Sequence, residues 1–251
     1  MSENQKSPVL EHLGELRRRL IRCLIAVVIT SLIAFIFYEQ IFNILKTPAP
    51  PNLNLQAIEM TEMIGTIMRV CLFSGIILAM PYLVYQALMF VFPALTPREK
   101  RYVYLILPWI TLMFAGGVTF GYFILLPRIT GFLMTFGGDI ASIEPRIGSY
   151  INIVTRLLLA TGLVFELPVV TTFLARIGLV SPKWLASKRK LALIFAFILA
   201  AIITPTIDPI NQTLVAAPLI VLYEMSIWLA KLVYRGEKKA ESLAPAVVED
   251  E

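Results

Sequence analysis

The chain has 251 residues, of which 58% are hydrophobic and only 16% are charged, and its mean hydropathy is +0.78. Soluble globular domains are about 45–50% apolar and about 25% charged, so this composition excludes an ordinary soluble domain and indicates an integral membrane protein. The formal net charge of +5 is expected to come from basic loops on one side of a membrane and not from a nucleic-acid-binding surface. Cys23 and Cys71 both fall in apolar segments, which favours two buried thiols over a disulfide.

Six apolar segments predict six transmembrane helices, which we expect to form a single domain over residues 1–235. Their approximate bounds are 20–38, 66–92, 102–126, 150–174, 191–203 and 214–233. The first four are long enough to cross a hydrocarbon core of about 30 Å. The fifth gives only roughly 20 Å of helix, and the polar turn 204–213 after it contains prolines and cannot be continuous lipid-facing helix. The last two spans are therefore expected to form a short pair.

Basic residues predict the orientation of the spans. Most of the 22 lysines and arginines lie in the N-terminal segment, the second–third and fourth–fifth loops, and the segment after the last span. Because cytoplasmic loops carry an excess of Lys and Arg, both termini are predicted to be cytoplasmic. Residues 1–19 lack the features of a cleavable signal peptide or a transit peptide, which favours the cytoplasmic (inner) membrane of a prokaryote. Residues 236–251 are predicted to be a disordered cytoplasmic tail.

Glu166 lies in the middle of the fourth predicted span, ten residues from the nearest basic residues, Arg156 and Arg176. In a helix those arginines lie roughly 15 Å away along the axis, and a carboxylate at this depth costs about 2.5–3.5 kcal/mol. Such residues usually face a bundle interior and mark a functional site. A hydrogen bond to Gln212, in the same polar turn as Asp208, would lower the burial cost. The simpler alternatives are a turn residue at Asp208 and a solvated loop amide at Gln212.

A surface helix is predicted at the N-terminus, with Ser7 as its N-cap and Pro8 as its first residue. Its apolar stripe consists of Leu10, Leu13, Leu16 and Leu20. Glu15 lies on the polar flank of this helix. The carboxylate pairs with Arg18 and Arg19 if the segment is only a surface helix, and it is a candidate ligand contact otherwise.

A second acidic residue, Glu99, lies in a predicted cytoplasmic loop among basic residues. Pro97 marks a helix start, so the helix dipole alone favours a carboxylate in this first turn. The functional alternative needs Glu15 and Glu99 together, because two carboxylates at one membrane face can each bind a guanidinium group through two parallel hydrogen bonds. A ligand with two adjacent arginines fits such a pair.

Signatures of enzymes and metal sites are missing from the sequence. A single histidine, His12, excludes His-rich metal sites, and no Gly-x-x-x-x-Gly-Lys phosphate loop occurs. Asp139 has no second membrane aspartate suitably placed for an intramembrane protease dyad. We therefore expect no catalytic residue, cofactor or metal. Two classes stay open on this ground: a receptor or scaffold, and a proton- or ion-coupled small-solute transporter with Glu166 as its titrating group.

Five motifs, taken in order, resemble the TatC family, which supplies the core subunit of the twin-arginine protein translocase. They are His12-Leu-Gly-Glu-Leu-Arg17-Arg-Arg, residues 90–101, Gly162-Leu-Val-Phe-Glu-Leu-Pro168, Ser181-Pro182, and Thr204-Pro205 with Asp208 and Gln212. Each motif is weak alone, but the ordered set covers about residues 8–235 and is specific. The chain departs from the family at Thr204-Pro-Thr, where Thr-Pro-Pro is frequent, and in the tail beyond Gly236.

The resemblance implies a concave, glove-like bundle that binds twin-arginine signal peptides of folded precursor proteins. It also implies the single-span partners TatA and TatB, self-association within the translocase, and transport driven by the protonmotive force. The positions that match the family's signal-peptide contacts are Glu15, Arg17, Phe90, Leu95 and Glu99. Glu166 and Gln212, with Asp208 nearby, match an intramembrane site for a partner helix, and Pro48 matches a structural proline in the first outer loop.

Overall fold

The structure is a computed structural model that describes residues 8–48, 55–91, 97–136, 144–204 and 208–234. The described helices are α1 (Pro8–Ile36), α2 (Tyr38–Lys46), α3 (Glu62–Val91), α4 (Pro97–Phe120), a π-helical turn (Gly121–Leu125), α5 (Leu126–Thr135), α6 (Ile147–Phe165), α7 (Leu167–Arg176), α8 (Pro182–Ser187), α9 (Arg189–Ile203) and α10 (Pro209–Val233). Within these residues the β-type pairing is one isolated parallel bridge, between Gln56 and Arg146. The prediction of an all-helical protein is therefore confirmed.

Five helical stretches of the described chain are long and apolar enough to cross a membrane. They are Leu13–Ile36, Glu62–Phe90, Ile106–Thr135, Ile147–Arg176 and Pro209–Val233. The predicted fifth span corresponds to α9, which has 15 residues and is shorter than the other five. A membrane protein with several spans is thus confirmed, while the sixth span and the cytoplasmic position of both termini stay predictions.

Prolines and caps explain where the helices depart from the predicted spans. The third span was expected to end at 126, but the helix continues to Thr135 because the wider π turn Gly121–Leu125 accommodates Pro127, which lacks a backbone N–H. The predicted turn 204–213 is wrong in its second half. Asp208 caps α10 by accepting a hydrogen bond from the Asn211 N–H at 2.7 Å, so the helix begins at Pro209.

The chain divides into two compact units, Met1–Gly162 and Leu163–Glu251, called here the N-terminal and C-terminal units. In the N-terminal unit, α1 packs along α3, and the Thr30 hydroxyl donates a hydrogen bond to the Gly75 carbonyl at 2.8 Å. The helices approach so closely there that a Cβ at Gly75 would overlap Ser31. A small residue is therefore required at this crossing. The single domain over 1–235 stays a prediction.

At another end of the N-terminal unit, hydrogen bonds and an ion pair join the segment before α3 to the segment before α6. The Glu62 carboxylate accepts hydrogen bonds from the backbone N–H groups of Ile58 at 2.9 Å and Gly148 at 3.1 Å. Arg146 forms a 2.8 Å ion pair with Glu59, which raises the pKa of the arginine above its ordinary value. The segments before α3 and before α6 are thereby joined.

The short helix α2, which was not predicted, packs in the same unit through buried Phe42 and Leu45. Carbonyl groups near its C-terminal end accept hydrogen bonds from two tyrosine hydroxyls, Tyr122 to Ile44 at 2.7 Å and Tyr150 to Leu45 at 3.0 Å. The Ile44 carbonyl also accepts from the Thr47 N–H at 3.2 Å, so the tyrosine bonds add to the backbone cap at the end of α2.

In the C-terminal unit, α7, α8 and α9 pack on α10. The hydrophobic cluster at one end consists of Ala175, Leu185, Ile227 and Ala230. The Tyr223 hydroxyl donates to the Leu185 carbonyl at 2.8 Å and links α10 to α8. Gly178, with φ of 80°, ends α7 in the left-handed conformation that glycine adopts without strain.

Candidate functional site

Glu15 belongs to a chain of four polar side chains that crosses from α1 to α3. Arg19, one helical turn after Glu15, donates to Glu15 Oε1 through Nε at 2.9 Å and also through Nη2. Its Nη1 donates to Gln86 Oε1 at 3.2 Å, and Gln86 Nε2 donates to the Tyr82 hydroxyl at 2.6 Å. The intrahelical pairing with Arg19 that the sequence predicted is therefore present, and it continues into the neighbouring helix.

Gln86 is a part of this site that the sequence analysis missed. Its side chain is 5% exposed on α3, and Arg19 and Tyr82 hydrogen-bond to it. Hydrogen bonds to charged groups contribute about 1.5–3 kcal/mol, whereas an exposed ion pair within one helix contributes about 0.3–0.5 kcal/mol. The hydrogen bond to buried Gln86 on α3 therefore fixes the Arg19 side chain, and Arg19 in turn orients Glu15. A lone amide in an apolar segment was the signal that could have found it.

The structure describes the other predicted signal-peptide residues to different extents. Tyr82, Gln86 and Phe90 follow one another at intervals of four on α3, so they share one face of that helix. Arg17 is exposed on α1. Leu95 lies outside the described residues, and Glu99 is described only as backbone in the first turn of α4, which begins at Pro97 as predicted.

The predicted first-outer-loop residue, Pro48, lies in the turn that follows α2 and is half-buried. It comes two residues after Lys46, the last residue of that helix. A proline there cannot continue the helix. The structural role of Pro48 stays a prediction.

Glu166 lies at a helix break, which the sequence analysis did not predict. α6 ends at Phe165 and α7 begins at Leu167, because Pro168 has no N–H to donate to the preceding turn. The Glu166 side chain is 6% exposed, and neither carboxyl oxygen has a hydrogen-bond partner among the described residues. The expected hydrogen bond between Glu166 and Gln212 is therefore wrong.

Gln212 and Asp208 instead stabilise the start of α10. Gln212 Nε2 donates to the Phe197 carbonyl at 3.0 Å, which fastens α10 to α9. Asp208 Oδ2 accepts from Asn211 Nδ2 at 3.0 Å in addition to its backbone capping bond. The alternative of a solvated loop amide at Gln212 is also wrong, because the residue is helical.

An apolar groove of about 490 Å³ lies along α9 beside Gln212. Its lining residues are Leu193, Ile194, Phe197, Ile198, Ala201, Ile202 and Gln212. Apart from the Gln212 amide, every lining side chain is hydrophobic. The shape and chemistry suit an apolar helix that carries one polar group.

Comparison with known proteins gives consistent matches. Residues 11–218 match the family described as Sec-independent protein translocase protein (TatC). The chain is 40% identical over 242 residues to TatC of Carboxydothermus hydrogenoformans, which covers 94% of this chain and 100% of that protein. Identity to TatC of Aquifex aeolicus is 39% over 239 residues, covering 93% and 99%. A crystal structure of the twin arginine translocase receptor TatC matches with a TM-score of 0.80 at 39% identity, covering 89% and 100%. These similarities support a translocase protein and not a small-solute transporter.

Proposed function

The chain belongs to the TatC family of Sec-independent protein translocase proteins, and we propose that its Glu15 binds an arginine of a twin-arginine signal peptide. One observation carries the proposal. Arg19 binds Glu15 through Oε1 alone, and Oε2 accepts no hydrogen bond from the described residues. A carboxylate that is already oriented and keeps one oxygen open can bind a second guanidinium group at little entropic cost.

The consecutive arginine of the peptide would bind Glu99. This residue is in the first turn of α4, while Glu15 is on α1, so two separate helices would each supply one carboxylate. Phe90 extends the α3 face that holds Arg19 and would contact the apolar residues that follow the arginines. Arg17 and Leu95 belong to the proposed surface on the family resemblance.

A binding assay with charge-matched peptides tests this site. Purified protein in lipid nanodiscs is titrated with a fluorescent twin-arginine signal peptide and with its twin-lysine counterpart, which keeps the charge but lacks the planar guanidinium. We expect the lysine peptide to bind less tightly. Glu15→Gln should weaken binding of the arginine peptide roughly ten- to hundredfold, and Glu15→Gln/Glu99→Gln should weaken it further.

Glu39→Gln is the matched control, because Glu39 is an exposed glutamate on α2. This variant loses the same charge and should bind the peptide like the parent protein. Unchanged binding by the Glu15→Gln/Glu99→Gln protein, or equal affinity for the two peptides, would refute the site.

A second proposed site in the C-terminal unit binds the single transmembrane helices of TatA and TatB. The groove along α9 offers apolar packing with the Gln212 amide at its edge. Glu166, in the same unit, is a buried carboxyl whose oxygens lack a partner among the described residues. Because an unpaired buried polar group is unfavourable by about 1–3 kcal/mol, a hydroxyl or amide from a partner helix would stabilise it. Asp208, which caps α10 four residues before Gln212, belongs to the proposed site on the family resemblance.

Co-purification tests the partner site. TatA or TatB co-expressed with this chain should be retained by the parent protein and lost with Glu166→Ala and with Gln212→Ala. Glu224→Gln is the control, since Glu224 is an exposed glutamate of the same unit that is ion-paired with Arg189. Retention of both partners by the Glu166→Ala/Gln212→Ala protein would exclude the site.

We also propose that α9 is a short sixth span and that both termini are cytoplasmic, in the inner membrane of a prokaryote. The 15 residues of α9 give roughly 22 Å of helix, a length that local thinning of the bilayer accommodates. In a Cys23→Ser/Cys71→Ser background, the single substitutions Lys188→Cys and Ile210→Cys should react with an impermeant maleimide from opposite sides of the membrane. Reaction of both from one side would contradict the sixth span.

A further inference from the structure

The first turns of α3 carry an exposed apolar stripe. Ile64, Met68 and Leu72 follow one another at intervals of four, so they lie on one face of the helix, and all three are exposed. They belong to the stretch Glu62–Phe90, which is long and apolar enough to cross a membrane. Bilayer hydrocarbon is therefore the ordinary neighbour of this face.

The apolar surface continues into the turn before α3, outside the helix. Met60, four residues before Ile64, is 100% exposed, and Ile58 is 66% exposed. The Gly65 N–H donates to the Thr61 carbonyl at 3.1 Å, so the helical winding begins directly after Met60. Ile58 and Met60 thus extend the exposed stripe beyond the first residue of α3.

The length of α3 places this turn at the level of lipid head groups. Gln86, which binds Arg19, marks one membrane–water interface, because charged side chains avoid the hydrocarbon. Glu62 lies 24 residues before Gln86 on the same helix, which is roughly 36 Å along the axis. A hydrocarbon core is about 30 Å thick, and a bilayer with its head groups about 40–45 Å. Glu62 and the turn before it therefore reach the opposite head-group region.

Arg69 gives a second indication of this depth. It is exposed on α3, seven residues after Glu62, and so lies roughly 10 Å further into the bilayer. Side chains of a helix lean toward its N-terminal end, and a long arginine side chain carries its charge to the membrane interface. The guanidinium group of Arg69 is thereby directed toward the head groups that surround the turn.

Hydrogen bonds within the protein allow this non-helical turn to lie at membrane depth. The Glu62 carboxylate accepts from the backbone N–H groups of Ile58 at 2.9 Å, Gly148 at 3.1 Å and Glu59 at 3.4 Å. Non-helical backbone is tolerated in a membrane only where its polar groups have partners. The same bonds fix the backbone from which the two apolar side chains project.

We propose that the turn 58–61 is inserted among the lipid head groups of the adjacent leaflet, with Ile58 and Met60 as the inserted side chains. A lipid surface is favoured over a protein partner because the turn is continuous with the lipid-facing stripe of α3. Glu59, the charged residue between the two apolar side chains, is already ion-paired with Arg146. The inserted turn would fix the axial position of α3, and with it the position of Gln86 at the other end.

Spin-label accessibility in lipid nanodiscs tests the insertion. In the Cys23→Ser/Cys71→Ser background, a nitroxide is attached to Met60→Cys, and its collisions with oxygen, which partitions into lipid, and with a water-soluble nickel chelate are measured. Leu72→Cys is the hydrocarbon reference. Lys188→Cys, at an exposed position between α8 and α9, is the water reference. The oxygen-to-nickel accessibility ratio at Met60→Cys should be severalfold higher than at Lys188→Cys and lower than at Leu72→Cys.

Two further substitutions test whether Glu62 holds the turn in place. Glu62→Ala removes the acceptor of the Ile58 N–H, so the turn should move toward water and the ratio at Met60→Cys should fall severalfold. Glu59→Ala is the matched control, because it removes a glutamate of the same turn whose carboxylate binds Arg146. This control should leave the ratio nearly unchanged. An equal fall in both variants would overturn the role of Glu62.

Two results at Met60→Cys would overturn the insertion itself. A ratio equal to that at Lys188→Cys would place the turn in water. A label that neither oxygen nor the nickel chelate reaches would show that protein covers the turn, and dipolar broadening of its spectrum would identify that protein as a second copy of this chain. The Met60→Cys measurement decides between these cases even if Glu62→Ala fails to fold.

Discussion

Glu15 and Glu166 are carboxyl groups in contrasting surroundings. Glu15 is partly exposed at the surface of the N-terminal unit and is held by Arg19, which is itself held by Gln86. Glu166 is 6% exposed in the C-terminal unit, and its oxygens have no partner among the described residues. The Glu15 carboxylate is oriented by hydrogen bonds within the protein, which is the property of a preorganised binding group. The Glu166 carboxyl can form a hydrogen bond only if a group outside the described residues supplies the partner.

The largest expected effect comes from removing the unpaired carboxyl. Glu166→Leu should stabilise the protein by about 1–3 kcal/mol, because an apolar side chain replaces a buried carboxyl that has no hydrogen-bond partner among the described residues. The midpoint of thermal unfolding in detergent should rise, while retention of the partner helix falls. Glu15→Leu, which removes a paired carboxylate, should not raise the midpoint. A lower midpoint for Glu166→Leu would mean that its carboxyl is already hydrogen-bonded, and the contrast with Glu15 would fail.

The close crossing of α1 and α3 at Gly75 provides a second test, which concerns the surroundings of Glu15. Gly75→Ala should destabilise the protein by about 1–3 kcal/mol, because the added Cβ overlaps Ser31 and separates α1 from α3. The Arg19–Gln86 bond depends on the same two helices, so signal-peptide affinity should fall while retention of the partner helix is kept. Gly65→Ala on the same helix is the control, since a Cβ there meets no atom within 4 Å. Equal midpoints of thermal unfolding for the two variants would contradict the claim that the crossing at Gly75 requires a small residue.

Arg19 carries the third prediction. Arg19→Ala should destabilise the protein by about 1–2 kcal/mol, because Glu15 and the buried Gln86 both lose a charged partner. Signal-peptide affinity should fall with it, since Glu15 is then no longer oriented. Arg18→Ala removes the same charge from an exposed position and should stay within about 0.5 kcal/mol of the parent. A higher affinity in Arg19→Ala than in Arg18→Ala would show that Arg19 competes with the peptide for Glu15.

The helices of this protein could be predicted where a local signal determines them. Long apolar runs identified α1, α3 and α10, and prolines at the first helical position identified the starts at Pro8 and Pro97. Other features depend on contacts that no local pattern records. α2 has nine residues and needs Phe42 and Leu45 buried against other helices to be stable.

The candidate sites show the same limit. A charge in an apolar segment was enough to single out Glu166, but the helix break beside it follows from Pro168, whose effect was not considered. The partner of Gln86, Arg19, depends on how α3 packs against α1, which no local pattern records. Gln212 found a backbone carbonyl on α9 instead of Glu166, because helix packing and not residue type decides which polar groups meet.

The measurement that tests the central claim most directly is a double-mutant cycle between Glu15 and one arginine of the signal peptide. Peptide affinity is measured for the parent protein and Glu15→Gln, each with the twin-arginine peptide and with a peptide in which one arginine is replaced by lysine. Direct contact predicts a coupling of at least about 1.4 kcal/mol, a tenfold departure from additivity, for one of the two arginines. Additive effects at both arginines would contradict the claim that Glu15 binds the signal peptide.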